Sequence, residues 1–492
     1  MASLKAKKPH VLAVPFPAQG HVTPLIKLSR RIADCGIKVT FVNTHNIHSK
    51  ILESTSVLPE NQVHNTGNIV LTSIPDGLSP EHDRNNVLEF IESLRGAMAD
   101  SLMDLIGRIN RENTEEPISC IIADITVGWV LEIAEKMGLE PVVFTPASAA
   151  GLAMVLHIPK LVEGGNLDVN GRLFPLHFFI LEFELNILKI SFTSGTVVGK
   201  PETISLSSDI PAWGKDELSW TFPVDLGMQK ILFECSLDAL KTGNQAKLIL
   251  CNTFYDLEST ACDLNSRLLP IGPLLNPDNS KSSSNYSGSF LTQDESCLDW
   301  LNSKPAASVI YVSFGSIAVF SQQQLDELAL GLELSGRPFL WIVRSNLANG
   351  ECAKYPNGFL ERIGGGIGKI VEWAPQEKVL SHSSVACFLT HCGWNSTMEG
   401  VSMGVPFLCW PYFADQFHNQ NYVCDKWKIG LRICADENGI RSRYEIKNKI
   451  QMVTADDDLR RNALQIKELA LKSNGSEEGS SFKNFQRFVD HL

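Results

Sequence analysis

Apolar residues occur along this chain in two kinds of run, and the two kinds alternate. Residues 10–15 (HVLAVP) form a short block of strand type that ends in a Pro/Gly turn. Leu25, Ile26, Leu28 and Ile32 then recur at helical spacing, which predicts a helix over 23–35. Residues 38–43 (KVTFVN) are the next β-rich run. Strand, helix, strand is the opening of a parallel α/β unit. Residues 119–123 (SCIIA), 141–144 and 248–252 (LILCN) continue it, with a further helix expected over 127–137.

The alternation breaks at 275–296, which is rich in Ser, Asn and Gly and has the composition of an exposed linker. It then restarts. Strands are expected at 309–313, 339–343, 386–390 and 406–410, with helices over 322–335 and from Asn395 to Val401 after Gly393. Two α/β halves joined by a linker imply two Rossmann-like domains with a cleft between them. No internal repeat is visible.

Composition narrows the function classes. A chain of 492 residues is too long for one ordinary core. With 44% apolar and 20% charged residues it has an ordinary globular composition. A formal charge of -12 argues against a nucleic-acid partner and against an anionic membrane surface. The 12 cysteines include no Cys-x-x-Cys and no zinc spacing. Cys120, Cys251, Cys387 and Cys409 sit in strand-like apolar runs and read as buried thiols of a reducing cytosol. The basic start, 1–8, is followed by an apolar run broken by Pro15 and Pro17, unlike a signal peptide. Residues 174–190 are apolar but carry His177, Glu182, Glu184 and Lys189, a charge density costly in hydrocarbon. The expectation is a cytoplasmic protein without stable membrane insertion.

The richest chemistry lies in 373–416, WAPQEKVLSHSSVACFLTHCGWNSTMEGVSMGVPFLCWPYFADQ. It holds Trp373 and Trp394, a polar cluster of His391, Asn395, Ser396 and Glu399, and a terminal Asp415–Gln416 pair. That inventory suits a ligand with a flat ring, a diol, phosphates and a sugar. A ring wants an aromatic face, a diol wants a carboxylate, and phosphates want N–H groups at a helix start. Taken singly, Trp373 reads equally as a core residue, and Asn395 and Ser396 as helix caps.

This stretch resembles the signature box of plant UDP-dependent glycosyltransferases. The resemblance extends to Pro15-Phe-Pro-Ala-Gln-Gly-His21, to Val312-Ser-Phe-Gly-Ser316 and to most of the chain between. It implies the glycosyltransferase B fold, with an N-terminal acceptor domain over 1–270, a linker over 271–296 and a C-terminal UDP-sugar domain over 297–478. A last helix over 479–492 is expected to cross back to the N-terminal half. It also implies site roles. Trp373 stacks on uracil and the Ala374 backbone reads the base edge. Gln376 and Glu399 hold the ribose. Ser316, His391, Asn395 and Ser396 surround the diphosphate, and Trp394, Asp415 and Gln416 contact the sugar. A terminal Gln goes with glucose in this family. The implied partners are UDP-glucose and a small lipophilic plant metabolite, with a phenolic such as a flavonoid or phenylpropanoid foremost and a hydroxyl rather than a carboxyl as acceptor. A monomer is expected, with no metal cofactor.

His21 follows the first strand and has the pKa range of a base near neutrality. By the resemblance it takes the acceptor proton in an inverting transfer. Asp124, ending the strand 119–123, can orient that imidazole; it reads otherwise as a cap for the next helix. Asp456, Asp457 and Asp458 read as a solvated cap and not a metal motif. Residues 171–205 depart from the family as an apolar insertion of about 173–199, which extends the acceptor wall, packs on the surface, comes from an imperfect gene model such as a retained intron, or blocks the acceptor side. The last option would make the chain a UDP-sugar-binding protein with impaired catalysis. A dinucleotide oxidoreductase is the other alternative, disfavoured because the first strand leads into Pro-Ala-Gln-Gly-His and not Gly-x-Gly-x-x-Gly.

Overall fold

The structure is a computed structural model that describes residues 8–54, 65–79, 82, 84, 87–168, 171, 203–221, 226–275, 289–345, 347 and 353–492. The apolar insertion at 173–199 and the centre of the expected linker, 276–288, lie outside the described residues.

In the N-terminal half the strands are β1 (His10–Val14), β2 (Lys38–Thr44), β3 (Asn65–Thr66), β4 (Ile69–Ile74), β5 (Cys120–Asp124) and β6 (Glu140–Thr145). They are followed by β7 (Thr203–Ile204), β8 (Trp213–Gly214), β9 (Ile249–Cys251) and β10 (Leu268–Pro270). Eight of them form one sheet in the order β10-β9-β6-β5-β1-β2-β4-β3, while β7 and β8 pair by themselves. Every neighbour in the large sheet is parallel except β3 against β4. Parallel strands covered on both faces must be apolar throughout, and all five residues of β1 are buried. Leu12 and Val14 pack into one core, Val11 and Ala13 into the other.

The C-terminal half repeats the scheme with β11 (Val309–Ser313), β12 (Phe339–Ile342), β13 (Gly368–Val371), β14 (Val385–Thr390), β15 (Phe407–Cys409) and β16 (Gly430–Arg432). Their order is β13-β12-β11-β14-β15-β16. The crossovers change direction between β11 and β14 in this sheet, and between β1 and β5 in the other. Such switch points open a crevice beyond the strand ends, where ligands of α/β folds bind. The segment leaving β1 carries His21, and Asp124 ends β5. The segments leaving β11 and β14 carry Ser316 and His391–Ser396.

The helix after β1 begins earlier than its apolar spacing predicts, at Gln19–Asp34 and not 23. Ala18 is extended (φ -133, ψ 148), and its carbonyl accepts from the N–H of His21 and of Val22, both at 2.9 Å. His21 therefore sits inside the first helical turn, not in the turn before it. The helix expected over 127–137 runs Trp129–Met137, preceded by a 3₁₀ turn at Ile125–Val127. The helix Ser480–Val489 buries Phe485 and Phe488 in the N-terminal core. The Arg31 guanidinium lies 4.1 Å from the Phe485 ring centre, and Asn484 donates to the Pro270 carbonyl at 2.9 Å. Cys120, Cys251, Cys387 and Cys409 are buried free thiols. Among the described residues no helix is long and apolar enough to cross a membrane. Asp456 caps the helix Asp457–Gly475, accepting from the N–H of Asp458 and Leu459.

Candidate active site

Between the two sheets lies a cavity of about 2000 Å³, lined from the N-terminal half by His21, Lys27 and Phe90 and from the C-terminal half by Ser316, Trp373 and Glu399. His21 projects into it with its side chain 28% exposed. Its Nδ1 lies 2.8 Å from Asp124 Oδ2. Asp124 is fully buried, and its Oδ1 accepts from the Thr126 N–H (3.0 Å) and hydroxyl (2.7 Å). The two readings of Asp124 are thus both realised, one on each oxygen. An ionised partner on Nδ1 fixes the tautomer that leaves Nε2 as an acceptor. Burial by itself lowers the His21 pKa, but the charge and hydrogen bond of Asp124, with Asp415 further off, outweigh it and leave the pKa raised.

His391 occupies the turn after β14. A Cβ on Gly315 would stand 2.6 Å from its Nε2, and one on Gly393 2.5 Å. Both glycines exist to admit that ring. Burial brings its pKa down to about 4. At neutral pH such an imidazole offers a hydrogen bond and no charge. It borders the start of the helix Trp394–Met403, capped by Gly393 without a side-chain cap. The helix opens one residue earlier than expected, so Asn395 and Ser396 lie in its first turn and are not caps. Those N–H groups, the positive helix end, Ser316, Asn395 and Ser396 can together hold an anion.

Next to them a chain of polar side chains is closed. The Tyr311 hydroxyl donates to Gln376 Oε1 at 3.0 Å. Gln376 Nε2 donates to Ser396 Oγ (2.9 Å) and Glu399 Oε2 (2.7 Å). Glu399 Oε1 accepts from Lys27 Nζ at 3.0 Å, and Lys27 also meets Glu377 at 2.5 Å. Trp373 is half-buried, leaving ring surface for a planar ligand, beside the buried Ala374. Burial pushes the Glu399 carboxyl up against the opposing charge of Lys27. Burial would likewise lower Lys27, but its two carboxylates win and raise it.

Three predicted sugar contacts fare differently. Asp415 accepts from Asn419 Nδ2 at 3.0 Å, and burial raises its pKa. Gln416 Oε1 accepts from the N–H of Tyr412 and Phe413 (2.8 and 3.0 Å), which leaves its amide nitrogen for a ligand. Trp394 lines the cavity as well, but not with its indole N–H. Its indole N–H donates to the Asn252 carbonyl at 2.8 Å and its ring packs toward Trp427, so its polar side-chain atom is spent on the other half of the molecule.

Sequence reasoning missed Lys27 and Glu377. Lys27 stands among Leu25, Ile26 and Leu28, and a lysine inside an apolar helical run was the available signal. Among the described residues no group of three or more His, Cys, Asp or Glu could hold a metal ion.

This architecture is that of a nucleotide-sugar transferase with two facing Rossmann-like halves. A profile described as UDP-glucoronosyl and UDP-glucosyl transferase matches residues 292–471, and one described as glycosyltransferase, N-terminal domain matches 8–125. UDP-glycosyltransferase 83A1 of Arabidopsis thaliana is 38% identical over 490 residues, 99% of this chain and 97% of its own. A 7-deoxyloganetin glucosyltransferase of Gardenia jasminoides is 34% identical over 99% of this chain and 98% of its own. Among solved structures, Os79 from O. sativa in complex with UDP superposes with a TM-score of 0.78 at 27% identity, covering 98% of this chain and 99% of that one. The chain belongs to the plant UDP-glycosyltransferase family.

Proposed function

We propose that the chain transfers glucose from UDP-glucose, with inversion and without a metal, to a hydroxyl of a small lipophilic acceptor. The observation that carries this is the pairing of cavity-facing His21 with buried Asp124 at one switch point, opposite the helix-start turns of the other. In the proposed reaction His21 Nε2 takes the acceptor proton as the acceptor oxygen bonds to the anomeric carbon. The bond from that carbon to the diphosphate breaks on the opposite face, and UDP leaves. Asp124 stabilises the imidazolium. Ser316, His391, Asn395, Ser396 and the N–H groups at the start of Trp394–Met403 take the charge developing on the diphosphate. Trp373 and Ala374 take the base, Gln376 and Glu399 the ribose, and Asp415 with the Gln416 amide the glucose. A donor-binding protein without catalysis is disfavoured, because the catalytic pair is fully assembled.

The acceptor end of the cavity is bordered by Phe16, Phe90, Ile125, Leu152 and Val155, which suits an apolar body. Aromatic edges favour a phenol. A second reading, an iridoid hydroxyl, is supported by the names of two relatives, the 7-deoxyloganetin glucosyltransferases of Gardenia jasminoides and Catharanthus roseus. The test is incubation with equal UDP-glucose and UDP-galactose and a panel of phenols and iridoids, 7-deoxyloganetin among them, with products identified by mass and resolved by sugar. Glucosides of one acceptor class are expected. Galactosides in excess would overturn the donor reading, and release of no UDP with any acceptor would overturn catalysis.

A further inference from the structure

The helix Gln19–Asp34 works with two faces. Val22, Leu25, Ile26, Leu28 and Ile32 are buried in the N-terminal core. Gly20 and Lys27, two turns apart, face the other half of the molecule, where Gly20 meets Asn395 and Lys27 meets Glu377 and Glu399. Lys27 is buried, with its side chain 4% exposed. It is a cation taken out of water and paired across the cleft, a costly arrangement to keep without a use.

The use follows from what Glu399 has to do. A carboxylate binds a diol because each oxygen accepts a hydroxyl proton, and it does so only while ionised and held in place. Glu399 stands in a setting that favours the neutral acid: it is buried and has the like charge of Glu377 nearby. Gln376 holds Oε2 from the side of its own domain, and Lys27 holds Oε1 from the other. Each oxygen keeps a second lone pair for a ribose hydroxyl. Lys27 serves two carboxylates, so its own charge is secure.

We propose that Lys27 is a positioning residue for the donor: by reaching across the closed cleft it keeps Glu399 ionised and oriented, so that ribose hydroxyls are recognised only when the two domains are together. The proposal rests on the reading of Glu399 as the ribose acceptor. It makes discrimination between ribose and deoxyribose a property of both domains, although every ribose contact comes from one.

The experiment is calorimetric titration of the full chain with UDP and with 2′-deoxy-UDP, which needs no acceptor. The ratio of the two Kd values is the readout, since the fraction of folded protein affects stoichiometry and not this ratio. Wild type is expected to prefer UDP strongly. Lys27→Met is expected to weaken UDP by roughly 10- to 100-fold, the scale on which loss of an outer partner that orients a ligating group acts in metal sites, and to bring the ratio close to one. Lys27→Arg is expected to restore part of the ratio, and Lys27→Gln serves if the Met variant does not fold. A Lys27→Met protein that keeps the wild-type ratio overturns the proposal. Glu399→Gln separates the two layers. If it abolishes the preference while Lys27→Met does not, Lys27 has no part in recognition. If Glu399→Gln itself leaves the preference intact, the ribose reading of Glu399 fails first.

Discussion

The side-chain amide of Asn395 donates to the main-chain carbonyl of Gly20 at 2.7 Å, across the cleft and one residue from His21. A proline makes the contact possible. In an α-helix the Gly20 carbonyl would accept from the N–H of residue 24, and residue 24 is Pro24, inside the helix Gln19–Asp34. The carbonyl left without its helical donor is filled by the other domain. A covalent peculiarity of one helix thus ties the turn that carries His21 to the helix Trp394–Met403.

This origin is open to a double-mutant cycle. Asn395→Ala is expected to cost about 1 kcal/mol of stability in the unliganded protein, the usual worth of a hydrogen bond. In a Pro24→Ala background, where an N–H is restored to the helix, the same change is expected to cost less than half as much. Urea unfolding of the four proteins measures the coupling. Equal costs in both backgrounds would show that Pro24 has nothing to do with the contact.

Loss of the base should spare the nucleotide. His21→Ala is expected to lower kcat by roughly 10²–10⁴-fold, while UDP affinity, whose proposed contacts lie in the C-terminal half, changes little. The acceptor must have a high pKa, because an already ionised phenol needs no base. Near-normal turnover of such an acceptor would remove His21 from the mechanism.

Much of the site was legible because its chemistry is concentrated in one stretch. Trp373, Gln376, His391, Ser396, Glu399, Asp415 and Gln416 all line the cavity. The direction of a side chain was less legible. Trp394 is the first residue of its helix, and the partner its indole N–H takes, the Asn252 carbonyl, depends on packing between domains, which one segment does not encode. Lys27 was overlooked for a related reason. A lysine in an apolar helix ordinarily extends its ammonium to water, and only the opposing carboxylates make burial possible. The short edge strands β13 and β16, with Gly368, Lys369 and Gly430 among their residues, lack the apolar block that marked β11 and β14.

Gly315 supplies a steric test. Its φ is +67, which L side chains rarely adopt, and a Cβ there would stand 2.6 Å from His391 Nε2. Gly315→Ala is expected to displace His391 and weaken UDP binding by about tenfold or more, beyond a modest loss of stability. Unchanged UDP affinity in a folded variant would show that His391 and its turn do not contact the diphosphate.

Transfer is expected to survive EDTA. The proposed leaving-group site consists of helix N–H groups, hydroxyls, an amide and a neutral imidazole, whose hydrogen bonds and positive helix end can stabilise a diphosphate without a bound cation. Activity lost in chelator and restored by magnesium or manganese would require a different account of the leaving group.

The last expectation concerns pH. His21 acts as a base only when neutral, and its pKa is raised above 6.5 because the Asp124 charge outweighs the cost of burial. The rate at limiting substrate should therefore fall on the acid side with an apparent pKa above 6.5, not below it. Asp124→Asn removes the charge but keeps the shape. Burial then acts unopposed by its main partner, so the acid limb is expected to move to lower pH. The plateau is expected to drop as well, since an amide no longer enforces the tautomer with Nε2 free nor stabilises the imidazolium. A merely structural role for Asp124 would lower activity without moving the limb. A profile of kcat/KM from pH 5 to 9 for both proteins, with one neutral acceptor, distinguishes the two. An acid limb that stays in place in Asp124→Asn would mean that the 2.8 Å contact does not tune the base.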